Sequence, residues 1–236
     1  MDARPVDVVF VHGAGEGAFD ADSLLADSLA RRLGAGYSVT MPRLPADDDS
    51  DDSGWLRMID QAIAAAHPPV VLVGHSAGGY LLLKALARRA PGASALDEPR
   101  APVTDVPGAS ALDESRAPVT DAPVTDAPAS VALVAVIAAP YPGGDPDWTF
   151  DGFDLPADLA TRLPRSAEIL LYASEDDEVV PVAHRDLYAA ALPRAVTRTT
   201  TGGHQLGDDL SLVAADIRAR VPRRRPRHPS PGRTLR

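Results

Sequence analysis

"VVLVGHSAGGYLLLKAL", residues 70–86, decides the fold. It opens as a continuous apolar, β-branched run, the pattern of a strand buried on both faces. It closes on leucines, alanine and lysine, which favour a helix. Between the two lies Gly74-His75-Ser76-Ala77-Gly78. Gly-x-Ser-x-Gly at the end of a strand and the start of a helix is a nucleophile elbow: the chain turns sharply with the serine at its apex. The positions two before and two after must be small, because strand and helix nearly touch there, and glycine fills both. The pattern alone is weak, but here it stands in the strand–turn–helix context that it requires. A tight turn without chemistry would have little need for a serine flanked by His75 and Gly74, Gly78 and Gly79.

A serine hydroxyl is a poor nucleophile until a base takes its proton, and the base needs an acid to fix its tautomer. Of the six histidines, His204 stands in "TTTGGHQLGDD", after the last expected strand and before the last helix. Gly202 and Gly203 let its backbone come close. His184 falls inside an expected helix, His67 closes another, and His228 lies in the tail. His75 neighbours the serine in sequence and should point away from it. The acid should follow a strand and precede the histidine. "ILLYASEDDEVVP" offers Asp176, Asp177 and Glu178, and Asp177 is preferred, with Asp176 second. A plain acidic surface turn is the bland alternative for this stretch.

"VFVHGAGEGAF", residues 9–19, admits two readings. Gly13-x-Gly15-x-x-Ala18 after a strand resembles a dinucleotide loop, which would make the protein a nucleotide-dependent oxidoreductase. His12-Gly13-Ala14-Gly15 can instead present a backbone N–H to an oxyanion. Three details favour the second reading. Asp20 and Asp22 are expected as caps that start the following helix late. With Glu16 they would repel a pyrophosphate. The second strand ends "VTMPRLP", with no acid for a ribose. Ala14 and Ala77 are therefore the expected oxyanion donors.

Short apolar runs at 6–11, 37–41, 69–73, 131–138, 168–173 and 195–200 alternate with helical patterns near 22–33, 54–66, 77–90, 182–192 and 208–220. Ser53 and Asp208 are expected as N-caps. Strand–helix alternation with apolar strands gives an α/β, doubly wound, six-stranded and mostly parallel sheet.

The order Ser76, Asp177, His204 on such a chain resembles the α/β-hydrolase superfamily. The likeness spans Val6 to Arg220 and rests on "HGAG", "GHSAGG", "EDDEVVP" and "GGH". Within it, the chain is similar to the small serine hydrolases related to retinoblastoma-binding protein nine and their bacterial counterparts, which carry a minimal lid. The resemblance implies strand order 2-1-3-4-5-6 and a triad of Ser76, Asp177 and His204. It implies no metal or organic cofactor. The expected activity is that of a carboxylesterase on a small or medium acyl ester, through an acyl-enzyme on Ser76. A thioesterase or acyltransferase would use the same triad, and a non-catalytic binding or scaffolding protein could share the fold.

The lid position is at about 140–163. Tyr141, Trp148, Phe150 and Phe153 there are four of the chain's eleven aromatics. With His12 they are candidates for a substrate pocket; the alternative is that they only cover the sheet and a helix. Between the third and fourth strands, "GASALDEPRAPVTDVP" (Gly92–Pro107) is followed by "GASALDESRAPVTDAP" (Gly108–Pro123). This 92–130 insert is rich in Pro, Ala, Ser and Asp and reads as low-complexity and disordered within a single domain over 1–221.

The last fifteen residues, 222–236, hold six arginines and no acid, so the other 221 carry a net charge of −16. An acidic body makes nucleic acid an unexpected partner for the folded domain, and the basic tail reads as disordered. There is no cysteine, which excludes disulfides and thiolate chemistry. With no membrane-length apolar run and no secretory leader pattern, a cytoplasmic protein acting on a small-molecule acyl substrate is expected.

Overall fold

The computed structural model describes residues 4–45, 52–89, 130–149 and 152–222. The 92–129 part of the insert, the tail from 223 and Phe150 lie outside the described residues. Six strands form one sheet in the order β2-β1-β3-β4-β5-β6: β1 (Val6–Val11), β2 (Tyr37–Thr40), β3 (Val70–His75), β4 (Val131–Ile137), β5 (Glu168–Ser174) and β6 (Val196–Thr200). Every neighbouring pair is parallel. The expected strand order is thus observed.

Among the described residues, six α-helices cover the sheet: α1 (Ala18–Leu33), α2 (Ser53–Ala65), α3 (Ala77–Arg88), the short α4 (Leu159–Arg162), α5 (Ala183–Ala191) and α6 (Ser211–Arg220). Side chains alternate across each strand, so the strands feed two apolar layers. Val8 and Phe10 of β1 with Val71 and Val73 of β3 pack under α1 and α6, against Leu25, Leu29, Val213 and Ile217. Val9, Val11, Val70 and Leu72 go to the other face, against Ile59 and Ile63 of α2, Leu82 and Leu86 of α3 and Tyr188 of α5. β3 is buried along its whole length, which its unbroken apolar run requires.

Three helix starts differ from the sequence expectation. α1 begins at Ala18, ahead of both Asp20 and Asp22, because Gly17 adopts a left-handed conformation (φ 77°) and launches the helix with no side-chain cap. Asp22 is buried inside instead of capping. At α2 the cap position is Asp52 rather than Ser53, and its carboxylate bonds Lys84 instead of its own helix. α6 begins at Ser211, because a 3-10 turn at Leu206–Asp208 with φ 61° at Gly207 takes up the residues expected to start it. The carboxylate that receives the Ser211 N–H is that of Asp209, not Asp208.

The order of strands reverses between β1 and β3. In such sheets the crevice outside the carboxyl ends of the strands at that reversal is where ligands bind. The loops that follow β1 and β3 both open there.

Candidate active site

Ser76 sits between the last residue of β3 and the first of α3, with φ 52° and ψ −131°. That backbone region is costly for any residue with a Cβ, and it aims the side chain out of the turn. The glycines around it are steric necessities. A Cβ on Gly74 would lie 2.7 Å from the Gly79 Cα, and one on Gly78 would run into the His12 carbonyl. Ser76 makes no capping hydrogen bond to its own helix, so its hydroxyl is left for other partners. The Ala77 N–H belongs to the first turn of α3, where helix geometry leaves amides without an intrahelical acceptor.

The loop after β1 lies against this elbow: a Cβ on Gly13 would stand 3.1 Å from the Ser76 Cβ. The Gly13 N–H donates to Asp22 Oδ2 at 2.7 Å. The next residue, Ala14, is exposed at the same edge. His12 is buried, and its Nε2 accepts the Leu44 N–H at 3.0 Å while its Nδ1 lies 2.7 Å from the Gly13 carbonyl. Its ring is packed edge-on between Phe19 and Trp55. Both nitrogens of His12 are thus spent on holding the loops after β1 and β2 together.

His204 follows β6 in a stretch of left-handed backbone, with φ 107° at Gly202, 66° at Gly203, 51° at Leu206 and 55° at Asp208. Its Nδ1 stands 2.9 Å from Asp177 Oδ2. The other oxygen of Asp177 accepts the N–H groups of Val179 and Val180, both at 2.9 Å. Burial pushes the Asp177 carboxyl up. The hydrogen bond and charge of His204 and the two amides outweigh it, and the group lies below the ordinary carboxylate range. Asp176, the second candidate acid, does not meet the ring. It accepts from the Gly202 and Gly203 amides at 3.0 Å and so shapes the loop that carries His204. Those amides hold its carboxyl below the usual value.

The structure brings Ser76, the Gly13–Ala14 loop, and the His204–Asp177 pair to one end of the sheet, on the loops after β3, β1, β6 and β5. Two residues that sequence reasoning did not assign to the site join them. Asp22 and His75 are each 1 % exposed and are bonded to one another, Nδ1 to Oδ1, at 2.9 Å. Nε2 of His75 donates to the His204 carbonyl at 3.0 Å. One signal was present: Asp22 shares the inward stripe of α1 with Leu25, Ala26, Leu29 and Leu33, where an acid needs a buried partner.

The aromatic segment between β4 and α4 packs over α3 and α5. Phe153 lies 4.2 Å from the Tyr80 ring and 6.0 Å from that of Trp148. Tyr141 meets Tyr188 edge-on at 4.9 Å. The segment is pinned by His184, which is buried near the start of α5. Its Nδ1 accepts the Tyr141 N–H at 2.8 Å and its Nε2 donates to Asp145 at 2.7 Å. Lys84 forms a second anchor, donating to Asp52, Asp154 and the Gly152 carbonyl. Among the described residues, no group of three His, Asp or Glu side chains is placed to hold a metal ion, and no helix is long and apolar enough to cross a membrane.

The sequence profile of the alpha/beta hydrolase family matches residues 8–227. Solved structures resemble the chain over most of its length. The esterase domain of a Rhodothermus marinus protein is 18 % identical with a TM-score of 0.56, covering 93 % of this chain and 87 % of its own. The thioesterase domain from the curacin biosynthetic pathway is 14 % identical with a TM-score of 0.58, covering 92 % and 91 %. A serine hydrolase involved in carbazole degradation is 12 % identical, also at 0.58, covering 92 % and 91 %. At such identities the likeness is one of fold. No curated protein matches the chain.

Proposed function

The chain belongs to the alpha/beta hydrolase family, and from that premise we propose that it is a serine hydrolase acting on small or medium acyl esters. One observation carries the proposal: a buried carboxylate, Asp177, holds Nδ1 of His204 at 2.9 Å on the same sheet edge as a serine in elbow geometry. In the proposed mechanism the Ser76 Oγ attacks the ester carbonyl while Nε2 of His204 takes its proton. The tetrahedral oxyanion is met by the Ala77 N–H and by the Ala14 N–H. Donors of this kind are worth about 3 kcal/mol each. The intermediate collapses, His204 protonates the departing alcohol, and an acyl-enzyme remains. Water, deprotonated by His204, then attacks the acyl carbonyl and frees Ser76. Asp177 keeps Nδ1 protonated throughout and stabilises the imidazolium. Catalytic hydrogen bonds of a free enzyme often tighten only with substrate bound, and the uncapped Ser76 hydroxyl suits that behaviour. Tyr141, Trp148 and Phe153 offer apolar surface for the acyl chain, with Phe150 next to them in sequence, while His12 serves from behind by fixing the oxyanion loop.

The test uses a fluorophosphonate probe and a series of p-nitrophenyl esters. Wild type should be labelled and should hydrolyse esters, and Ser76→Ala should do neither. Equal labelling of both, or of neither, overturns the proposal. Acyl chains of medium length should be preferred to acetate; a preference for acetate would remove the aromatic segment from the pocket.

A further inference from the structure

We propose that Asp22 is a positioning residue that locks the oxyanion loop, the nucleophile elbow and the loop of the catalytic histidine into one body. Its kinetic consequences rest on the hydrolase reading above; the lock itself rests on geometry alone. Asp22 projects from the inward face of α1 and is fully enclosed. Its Oδ2 accepts the Gly13 N–H at 2.7 Å and faces Nδ1 of His75 at 3.0 Å. Its Oδ1 faces the same ring nitrogen at 2.9 Å and accepts from the Gln205 side-chain amide at 3.3 Å. Nε2 of His75 continues the chain to the His204 carbonyl at 3.0 Å. One carboxylate is thus joined to the residue before Ala14, to the residue before Ser76 and, through one ring, to the backbone of His204. Gln205 is drawn in at a cost, since its Oε1 is buried with no hydrogen-bond partner among the described residues.

The acceptors around His75 strengthen the lock: the His204 carbonyl stands at Nε2 and the Asp22 carboxylate at Nδ1, so both ring nitrogens are engaged. Burial pushes the Asp22 carboxyl up, but the hydrogen bond and charge of His75 and the Gly13 amide outweigh it and keep the group ionised. Pairs like this fix geometry more than they add stability. Here the geometry is that of the reacting groups, where a displacement of about 1 Å costs roughly a hundredfold in rate.

Asp22→Asn keeps the shape of the side chain but places an amide among donors. In this variant of the full chain, kcat on p-nitrophenyl butyrate should fall about ten- to a hundredfold with KM within about twofold. The rate of fluorophosphonate labelling should fall in parallel. Asp22→Glu, which keeps the charge, should recover part of kcat. Adding His75→Gln to Asp22→Asn should cost little more, because both act through one chain of bonds. Amide hydrogen exchange reads the lock without any catalysis: residues 13–15 and 203–206 should exchange faster together, while β4 and β5 stay as in wild type. If wild type proves inert to the probe, the hydrolase reading falls and the exchange pattern alone decides this one. Kinetics and exchange of Asp22→Asn within twofold of wild type would overturn the proposal. So would exchange rising evenly over the whole chain, the mark of a merely structural loss.

Discussion

Ser76 holds a conformation that few residues with a Cβ adopt, and the space that permits it comes from three glycines. At Gly78 an added methyl would meet the backbone of His12 and Val11, which cannot move without displacing β1. Gly78→Ala should therefore cost about 3 kcal/mol, seen in thermal unfolding as a fall in Tm of roughly 10 °C. Asp177→Asn tests another residue-scale role. The asparagine can keep the contact but favours the wrong imidazole tautomer, so kcat should fall by about 10³–10⁴, far beyond what the accompanying fall in Tm explains. Ser76, Asp177 and His204 were singled out in the sequence by a motif and a chain order, and the structure puts all three on loops at one end of the sheet. Asp177 was preferred over Asp176 from the run of three acids, and the turn after β5 faces its carboxylate toward the His204 ring while that of Asp176 meets the Gly202 and Gly203 amides. The partnership of Asp22 with His75 was out of reach, since no spacing rule connects a helix, an elbow and a distant loop.

At the scale of elements, the strands were legible almost to their ends, the central β1, β3, β4 and β5 because burial on both faces demands nearly unbroken apolar runs. Helix starts were not. α1 starts on a left-handed glycine, and Asp52 turns from its own helix to Lys84. Asp22 and Asp52 each have a tertiary partner, His75 and Lys84, as an alternative to capping, and local sequence does not show it. The segment between β4 and α4 has the same character. Its aromatic content was evident, but its anchoring by His184 and Asp145 was not. His184→Ala removes the acceptor of the Tyr141 N–H and the donor to Asp145. Freed at its root, the segment should hold substrate less well: KM should rise several-fold in steady-state kinetics with kcat changed much less, since the residues of the proposed triad lie on other loops.

The molecule as a whole carries several carboxyls held below the ordinary range, among them Asp22, Asp177 and Asp216. In Asp216, burial is outweighed by hydrogen bonds from Arg198, Tyr172 and Arg220. Each binds its proton less readily folded than at the unfolded value of 3.8. Their contribution is complete above that value and is lost as pH falls through the lower folded values. Tm should therefore hold from pH 7 to about 5 and drop steeply below about 4, and Asp216→Asn should flatten that drop. The topology makes a further claim. α3 runs back from the carboxyl edge of the sheet, and β4 enters next to the start of β3, where the Val70 N–H donates to the Ser130 carbonyl. The two ends thus lie at the same edge, and connections between such elements commonly need only a few residues. Replacing residues 93–127 by a short Gly-Ser linker should leave Tm and ester hydrolysis close to wild type. Finally, the packing has an optical consequence. The chain has two tryptophans. Trp55 lies 5.7 Å from the ring of His12, behind the loop after β1, and Trp148 stands in the aromatic segment beside Phe153. Intrinsic fluorescence therefore reports from two separate packed environments, the loop after β1 and the aromatic segment after β4, and a Trp55→Phe variant would leave emission from the second alone.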